Sequence, residues 1–369
     1  MKKNVIQKNG SVEFLRFLFC MFVLFFHMYK YIIGESPLGA PLSFKFFVHG
    51  AIGVEFFFLL SGLLMARHVD SIRKKKNKES LGEETSKYVF KKFMSVFPYH
   101  IIAFIIIFIL TCVFSHKSIT DVIVLLVESI PGIFLIQMSG FKGFVLNHIE
   151  WYLSSLLIGI AIVYPLLRKY YDTFIKYVAP LIALLIIGYL YYETGKLTGV
   201  MKWMGLGYKG TIRGIAELLL GIYGYYLGTE LSKLKKLPNA GKVLLTILEG
   251  LLIIAILVFA NVTFGSKFEF YALIVIFILL ILSYSGITYS GKLLNNKVIY
   301  FLGKLSLPIY VSQLSALLIV DNIFNSYTIQ IQMILMFVIT MILSLITMFI
   351  GDFLNKKIKS IDLKKYYVN

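Results

Sequence analysis

The chain has 369 residues, of which 58% are hydrophobic and only 15% charged, with a net charge of +18 and a mean hydropathy of +0.81. A soluble domain of this length is nearer half apolar and about a quarter charged, so a soluble enzyme is excluded. The positive charges lie between long apolar runs, where they read as topology signals rather than as a nucleic-acid surface; some also suit an anionic inner leaflet.

A bilayer-spanning helix needs roughly 20 mostly apolar residues, and lipid cannot satisfy open backbone groups, so the apolar runs are expected to be helices. A transmembrane β-barrel is excluded, because runs such as 182–190 and 251–259 do not alternate. The pattern predicts an all-α polytopic membrane protein with about ten spans, near 12–33, 46–66, 95–115, 151–168, 178–193, 212–229, 243–261, 269–288, 299–320 and 331–353. They form a single membrane-embedded domain over 1–369, with no appended soluble domain. Of the 37 Lys and Arg, 26 then fall on the side of the termini, 8 on the other side, and Arg16, Arg213 and Lys304 within spans. That bias places both termini in the cytoplasm and the protein in the cell membrane.

Lys2, Lys3 and Lys8 precede the first apolar run as in a signal peptide, but no small-residue cleavage site follows, so the first span is expected to be retained. This span carries Arg16 and His27. Eleven residues at ~1.5 Å each separate them by about 16 Å along the axis, and eleven steps of ~100° return to within about 20° of the same face. A snorkelling arginine with a packed histidine is the plain reading. An aligned pair of ionisable residues inside a bilayer is otherwise a functional signal.

The second span carries Glu55 in GVEFFFLLSG. Helix rise puts Glu55 about 16 Å above the inner end and His27 about 22 Å up its own span. The two could meet, giving a carboxylate-oriented imidazole of the kind general-base catalysis uses; a structural Glu–Arg or Glu–His pair is the alternative. Ser61 and Gly62 favour close helix approach, with Ser61 as a nucleophile the lesser reading.

The stretch 121–138 is interrupted by Glu128 and Pro131. Counting it as a crossing would reverse every later loop, so it is expected to be re-entrant or interfacial on the outer side. His148, Glu150, Trp151 and Tyr152 open the fourth span. The aromatics fit an interfacial belt, the favoured reading; an outward His148/Glu150 pair could also line a glycan site, with aromatics stacking on sugar faces. Arg213 and Glu217 open the sixth span at i,i+4 spacing, either as an ion pair or with the arginine steering a substrate oxygen. Lys304 sits one turn into the ninth span, placed to snorkel or to meet a cofactor phosphate. Cys20 and Cys112 read as buried small hydrophobes. No metal-ligand spacing, Walker A or dinucleotide loop is present, so neither a metal nor ATP-driven pumping is expected.

Five blocks in order carry a family resemblance: EFLRFLFCMFVLFFHM, GVEFFFLLSGLLM, HIEWYLSSLL with Tyr164–Pro165, RGIAELLLGIYGYYLG and FLGKLSLPIYVSQL. Together the sequence resembles the type-3 membrane acyltransferases, the bacterial family that includes polysaccharide O-acetyltransferases. Two positions depart from the pattern: Ser95 stands where a second arginine is expected after Lys91 and Lys92, and Gln313 where the late motif often has histidine.

The resemblance implies an O-acetyltransferase with no bound cofactor. Acyl-CoA, expected to be acetyl-CoA, would approach from the cytoplasm with its phosphates on Arg16, Lys91, Lys92 and Lys304. His27, oriented by Glu55, would act on a hydroxyl of a cell-surface or lipid-linked glycan, with Ser61, Trp151, His148 and Arg213 among the substrate contacts. A proton-coupled carrier or flippase is the rival class, although the inverted repeats common in carriers are not evident. A non-catalytic scaffold gives no reason for the aligned Arg16 and His27.

Overall fold

A computed structural model describes residues 9–33, 46–73, 79–141, 145–234, 237–262 and 267–365. Lys2, Lys3, Lys8, Lys45, Lys74, Lys75, Lys76, Lys78, Lys142, Lys235 and Lys236, which enter the charge bias, lie outside the described residues. The architecture is helical throughout. In chain order the α-helices are α1 Gly10–Met28, α2 Gly53–Arg73, α3 Leu81–Phe114, α4 Ile119–Glu128, α5 Ile130–Ile133, α6 Trp151–Lys169, α7 Tyr171–Thr173, α8 Ala179–Thr194, α9 Lys209–Ser232, α10 Asn239–Asn261, α11 Phe268–Ser285, α12 Ser290–Leu294, α13 Lys297–Ile323 and α14 Ile329–Lys365.

Among the described residues, nine segments are long and apolar enough to cross a bilayer. The tenth expected span, α9, is as long as the others but less apolar. It carries Arg213, Glu217 and five glycines, and much of its length is buried at the centre of the bundle. The ten expected spans therefore correspond to ten long helical segments. The largest boundary difference is at α3, which begins at Leu81. There Ser80 and Glu83 close a reciprocal capping box, satisfying amide groups that a helix start otherwise leaves open.

The start of α1 is tied to the start of α13 by Gly10 N donating to Asn295 Oδ1 at 2.7 Å. The early turns of α13 meet the late part of α14 where Lys304 Nζ pairs with Asp352. These contacts define one end of the bundle, called the proximal face below; the opposite end is the distal face. Helices α3, α10 and α14 turn apolar side chains such as Ile109, Ile254 and Phe349 outward, as lipid contact requires.

The stretch 121–138 is not a crossing. Helix α4 has ten residues and rises about 15 Å, half of a ~30 Å hydrocarbon core. Pro131 restarts the chain as the four-residue α5. His100, inside α3, donates from Nε2 to the Ile133 carbonyl at 3.1 Å, and Met138 N donates to Ser154 Oγ at 3.0 Å. The segment is thus pinned into the side of the bundle.

The tightest packing is between α2 and α9. A Cβ at Gly62 would lie 2.0 Å from the Leu218 carbonyl oxygen, and one at Gly221 would lie 2.0 Å from that of Leu59. The obstacle is backbone in both cases, so the helices must separate to admit a methyl. Gly221→Ala is expected to lower the thermal midpoint of the detergent-solubilised protein, followed by fluorescence-detected size exclusion, at a cost of about 1–3 kcal/mol. Gly250→Ala, where nothing lies within 4 Å of the added carbon, should leave that midpoint unchanged.

Candidate active site

One stripe of α1 organises the interior. Arg16, Val23, His27 and Tyr31 follow one another by seven, four and four residues, the spacing of a single helical face. After Met28 the helix widens into a π turn over Tyr29–Ile33, a distortion common at functional sites, and this turn carries Lys30 and Tyr31.

The stripe lines two cavities. The proximal one, about 170 Å³, has Arg16, Lys92, Ser95 and Ser61 on its walls, together with apolar side chains of α2, α6 and α13. The distal one, about 530 Å³, is lined by His27, Lys30, Tyr31, His148, Trp151, Lys202 and Arg213 among others. Val54 and Tyr310 belong to both linings, so these two side chains form the partition. The Tyr310 hydroxyl donates to the Ile149 carbonyl, which fixes the ring across the boundary.

His27 is buried, and its Nδ1 lies 2.6 Å from Gln313 Oε1. An amide oxygen only accepts, so Nδ1 carries a proton and donates it, and in the neutral imidazole Nε2 is then the nitrogen with a free lone pair. The imidazole is thereby held in place on the wall of the distal cavity. Next to it the Tyr31 hydroxyl meets His148 Nε2 at 2.6 Å.

A second cluster is centred on Arg213 of α9. Its Nε is 3.1 Å from Glu217 Oε1, its Nη1 is 3.5 Å from Glu55 Oε1, and Nη1 donates to the Leu197 carbonyl at 3.2 Å. The guanidinium carbon stands 5.3 Å from the Trp151 ring centre. All three ionisable side chains are at most 3% exposed, as buried charges in mutual pairs must be. A third buried pair joins His100 Nδ1 to Glu150 Oε2 at 2.9 Å, bracing the start of α6 against α3.

A sequence model of an acyltransferase domain matches residues 9–351. The chain belongs to the type-3 acyltransferase family. No curated protein and no solved structure matches it. For this membrane acyltransferase, the matched range takes in α1 and both cavities.

The structure brings Arg16 and Lys92 together on the proximal cavity and His27, His148, Trp151 and Arg213 on the distal one. Three expectations are corrected. Glu55 does not orient His27: its carboxylate faces Arg213, and Gln313 holds the imidazole. Helix rise fixes height but not which neighbour a side chain turns to, and a buried guanidinium needs a carboxylate more than a neutral imidazole does. Lys304 is absent from the proximal lining and pairs instead with Asp352 of α14, which also accepts from the Tyr99 hydroxyl at 2.7 Å. Lys91 is exposed and absent from the proximal lining; only Lys92 reaches it. Ser61 lines the proximal cavity, with its hydroxyl donating to the Phe57 carbonyl at 2.7 Å. That matches its small-residue packing role better than a nucleophilic one.

Sequence reasoning assigned no role to Gln313, Tyr310, Lys30 or Lys202. Gln313 was visible as a family departure, and it is the polar residue that contacts His27. Gln313→Leu removes the acceptor for Nδ1–H. It is expected to lower kcat about tenfold or more, by freeing the wrong tautomer, while leaving the donor KM unchanged in a steady-state assay.

Proposed function

We propose that this protein transfers an acyl group, acetyl in the first instance, from cytoplasmic acyl-CoA to a hydroxyl of a cell-surface or lipid-linked glycan. The observation that carries this reading is the pair of cavities on one face of α1, with Arg16 below the Val54–Tyr310 partition and His27 above it. The positive bias of the proximal loops supports a cytoplasmic proximal face.

In this reading Arg16 and Lys92 hold phosphate oxygens of the donor, as cations suited to phosphate do. The thioester end extends to the Val54–Tyr310 partition, where the acyl carbonyl meets the acceptor. The acceptor hydroxyl oxygen attacks that carbonyl carbon while His27 Nε2 takes its proton. The tetrahedral intermediate collapses with cleavage of the C–S bond. The departing CoA thiolate takes the proton back from the imidazolium, leaving an O-acyl ester, free CoA thiol and neutral His27. Gln313 keeps Nε2 turned to the reaction throughout. Trp151, His148 and Arg213 hold the acceptor.

Purified protein incubated with radiolabelled acetyl-CoA and a polysaccharide acceptor should transfer label to the polysaccharide. Vesicle uptake of a solute, with no label transferred from acetyl-CoA, would instead favour a carrier.

A further inference from the structure

Apart from the phenols of Tyr31 and Tyr310, the ionisable residues on the described wall of the distal cavity are all bases: His27, Lys30, His148, Lys202 and Arg213. No aspartate or glutamate is among them. Three carboxylates do lie behind the wall: Glu55 and Glu217 pair with Arg213, and Glu269 accepts from Thr198 on the loop that also anchors the Lys209 ammonium. Glu55 and Glu217 take up all of the arginine's charge, so Arg213 adds no surplus, and its Nη2 is buried without a hydrogen-bond partner. Arg213 itself is part of the cavity lining. The surplus charge comes from Lys30 and Lys202, both exposed and neither paired with a carboxylate among the described residues.

The two lysines face the cavity from different elements, the π turn after α1 and the loop before α9. That loop is held in place by its own contacts. Glu269 accepts from Thr198 N at 2.8 Å and Thr198 Oγ1 at 3.0 Å. Buried Lys209 donates to the carbonyls of Lys196 and Thr198 at 2.7 and 2.6 Å. The Lys202 carbonyl in turn accepts from Lys209 N at 2.8 Å. The wall that carries Lys202 is thus preorganised, which lowers the cost of binding a charged ligand. Bases converging on a cleft with apolar walls focus a positive potential inside it. A neutral sugar would gain nothing from that field. The donor's phosphates do not account for it either, since their proposed place is below the partition, on Arg16 and Lys92.

We infer that the acceptor is anionic: a glycan that presents, beside the hydroxyl to be acylated, a carboxylate or phosphate group engaged by Lys30, Lys202 and Arg213. This rests on the acyl-transfer reading above and names the substrate class for it. The cavity volume of about 530 Å³ lies within the ~300–1,000 Å³ of pockets that take small ligands, enough for the charged unit of a longer chain.

The test is an acceptor panel in matched pairs, assayed with the purified full-length protein and radiolabelled acetyl-CoA. One pair is a uronic-acid oligosaccharide and its carboxyl-reduced form. The other is a phosphodiester-bearing oligosaccharide and its dephosphorylated form. The charged member of at least one pair is expected to exceed its neutral partner about tenfold in kcat/KM, and the pair that responds identifies the anion. That preference should shrink with added salt. In the Lys30→Gln/Lys202→Gln double variant, the charged-to-neutral ratio should fall roughly tenfold, as loss of two partly exposed ion pairs predicts. Equal use of charged and neutral acceptors, or an unchanged ratio in the double variant, overturns the inference and leaves acyl transfer standing. Absence of transfer to every acceptor overturns the acyl-transfer reading and this inference together.

Discussion

Replacing His27 with alanine should abolish O-acyl transfer while the protein remains folded and abundant. General-base catalysis by a positioned side chain is typically worth 10²- to 10⁴-fold, so the residual rate should fall by about that factor. The substitution is tolerable structurally, because His27 lines a cavity and its hydrogen bond is to a neutral amide, so no buried charge is left unpaired. The loss should appear in kcat, with the donor KM unchanged, since the cations proposed for the phosphates lie on the proximal cavity. Labelled acetyl transfer by the purified variant, run beside a thermal melt, checks both halves. Wild-type levels of O-acyl groups on the glycan with normal variant abundance would show that His27 is not the base.

Arg213→Met should instead destabilise the whole bundle. It leaves Glu55 and Glu217 buried, each at most 2% exposed, with no cation between them. Removing one partner of a buried ion pair costs about 3–5 kcal/mol, enough to lower yield and melting temperature sharply. The damage lies at the centre, because α9 packs against α2 through Gly62 and Gly221 and carries both Arg213 and Glu217. Neutralising the carboxylates as well, in Arg213→Met/Glu55→Gln/Glu217→Gln, should restore the melt, since a buried ion cluster exchanged for neutral groups is often no less stable. Transfer should stay impaired, because the donor facing the acceptor is gone. Measuring both variants by size-exclusion melting and by labelled transfer separates the structural role of the cluster from its role in acceptor binding.

Ten long helices were legible, nine of them long and apolar enough to cross a bilayer among the described residues, because a bilayer demands long apolar helices and the interruptions at Glu128 and Pro131 ruled out a further crossing. The α9 span was legible from its position in the alternation rather than from hydropathy, since its ions and glycines face inward. The stripe from Arg16 to His27 followed from helix geometry alone. The partners of those residues did not. Gln313 lies 286 residues from His27, and nothing local to α1 distinguishes it from Glu55, which has a comparable estimated height. The choice was decided by Arg213, whose buried guanidinium takes both carboxylates. The partner of Lys304 was not legible because its acid, Asp352, is supplied by the last helix. The Glu150–His100 pair had a visible signal in two ionisable residues within apolar stretches, but no spacing linked them.

The central claim is that one face of α1 connects a donor on the proximal side with an acceptor on the distal side. The most direct measurement uses sealed proteoliposomes of uniform orientation, with labelled acetyl-CoA outside at the proximal face and the glycan acceptor trapped inside. The account predicts label on the trapped glycan, dependent on His27, with no acetyl-CoA entering the lumen. Label appearing only when donor and acceptor share one side would contradict it.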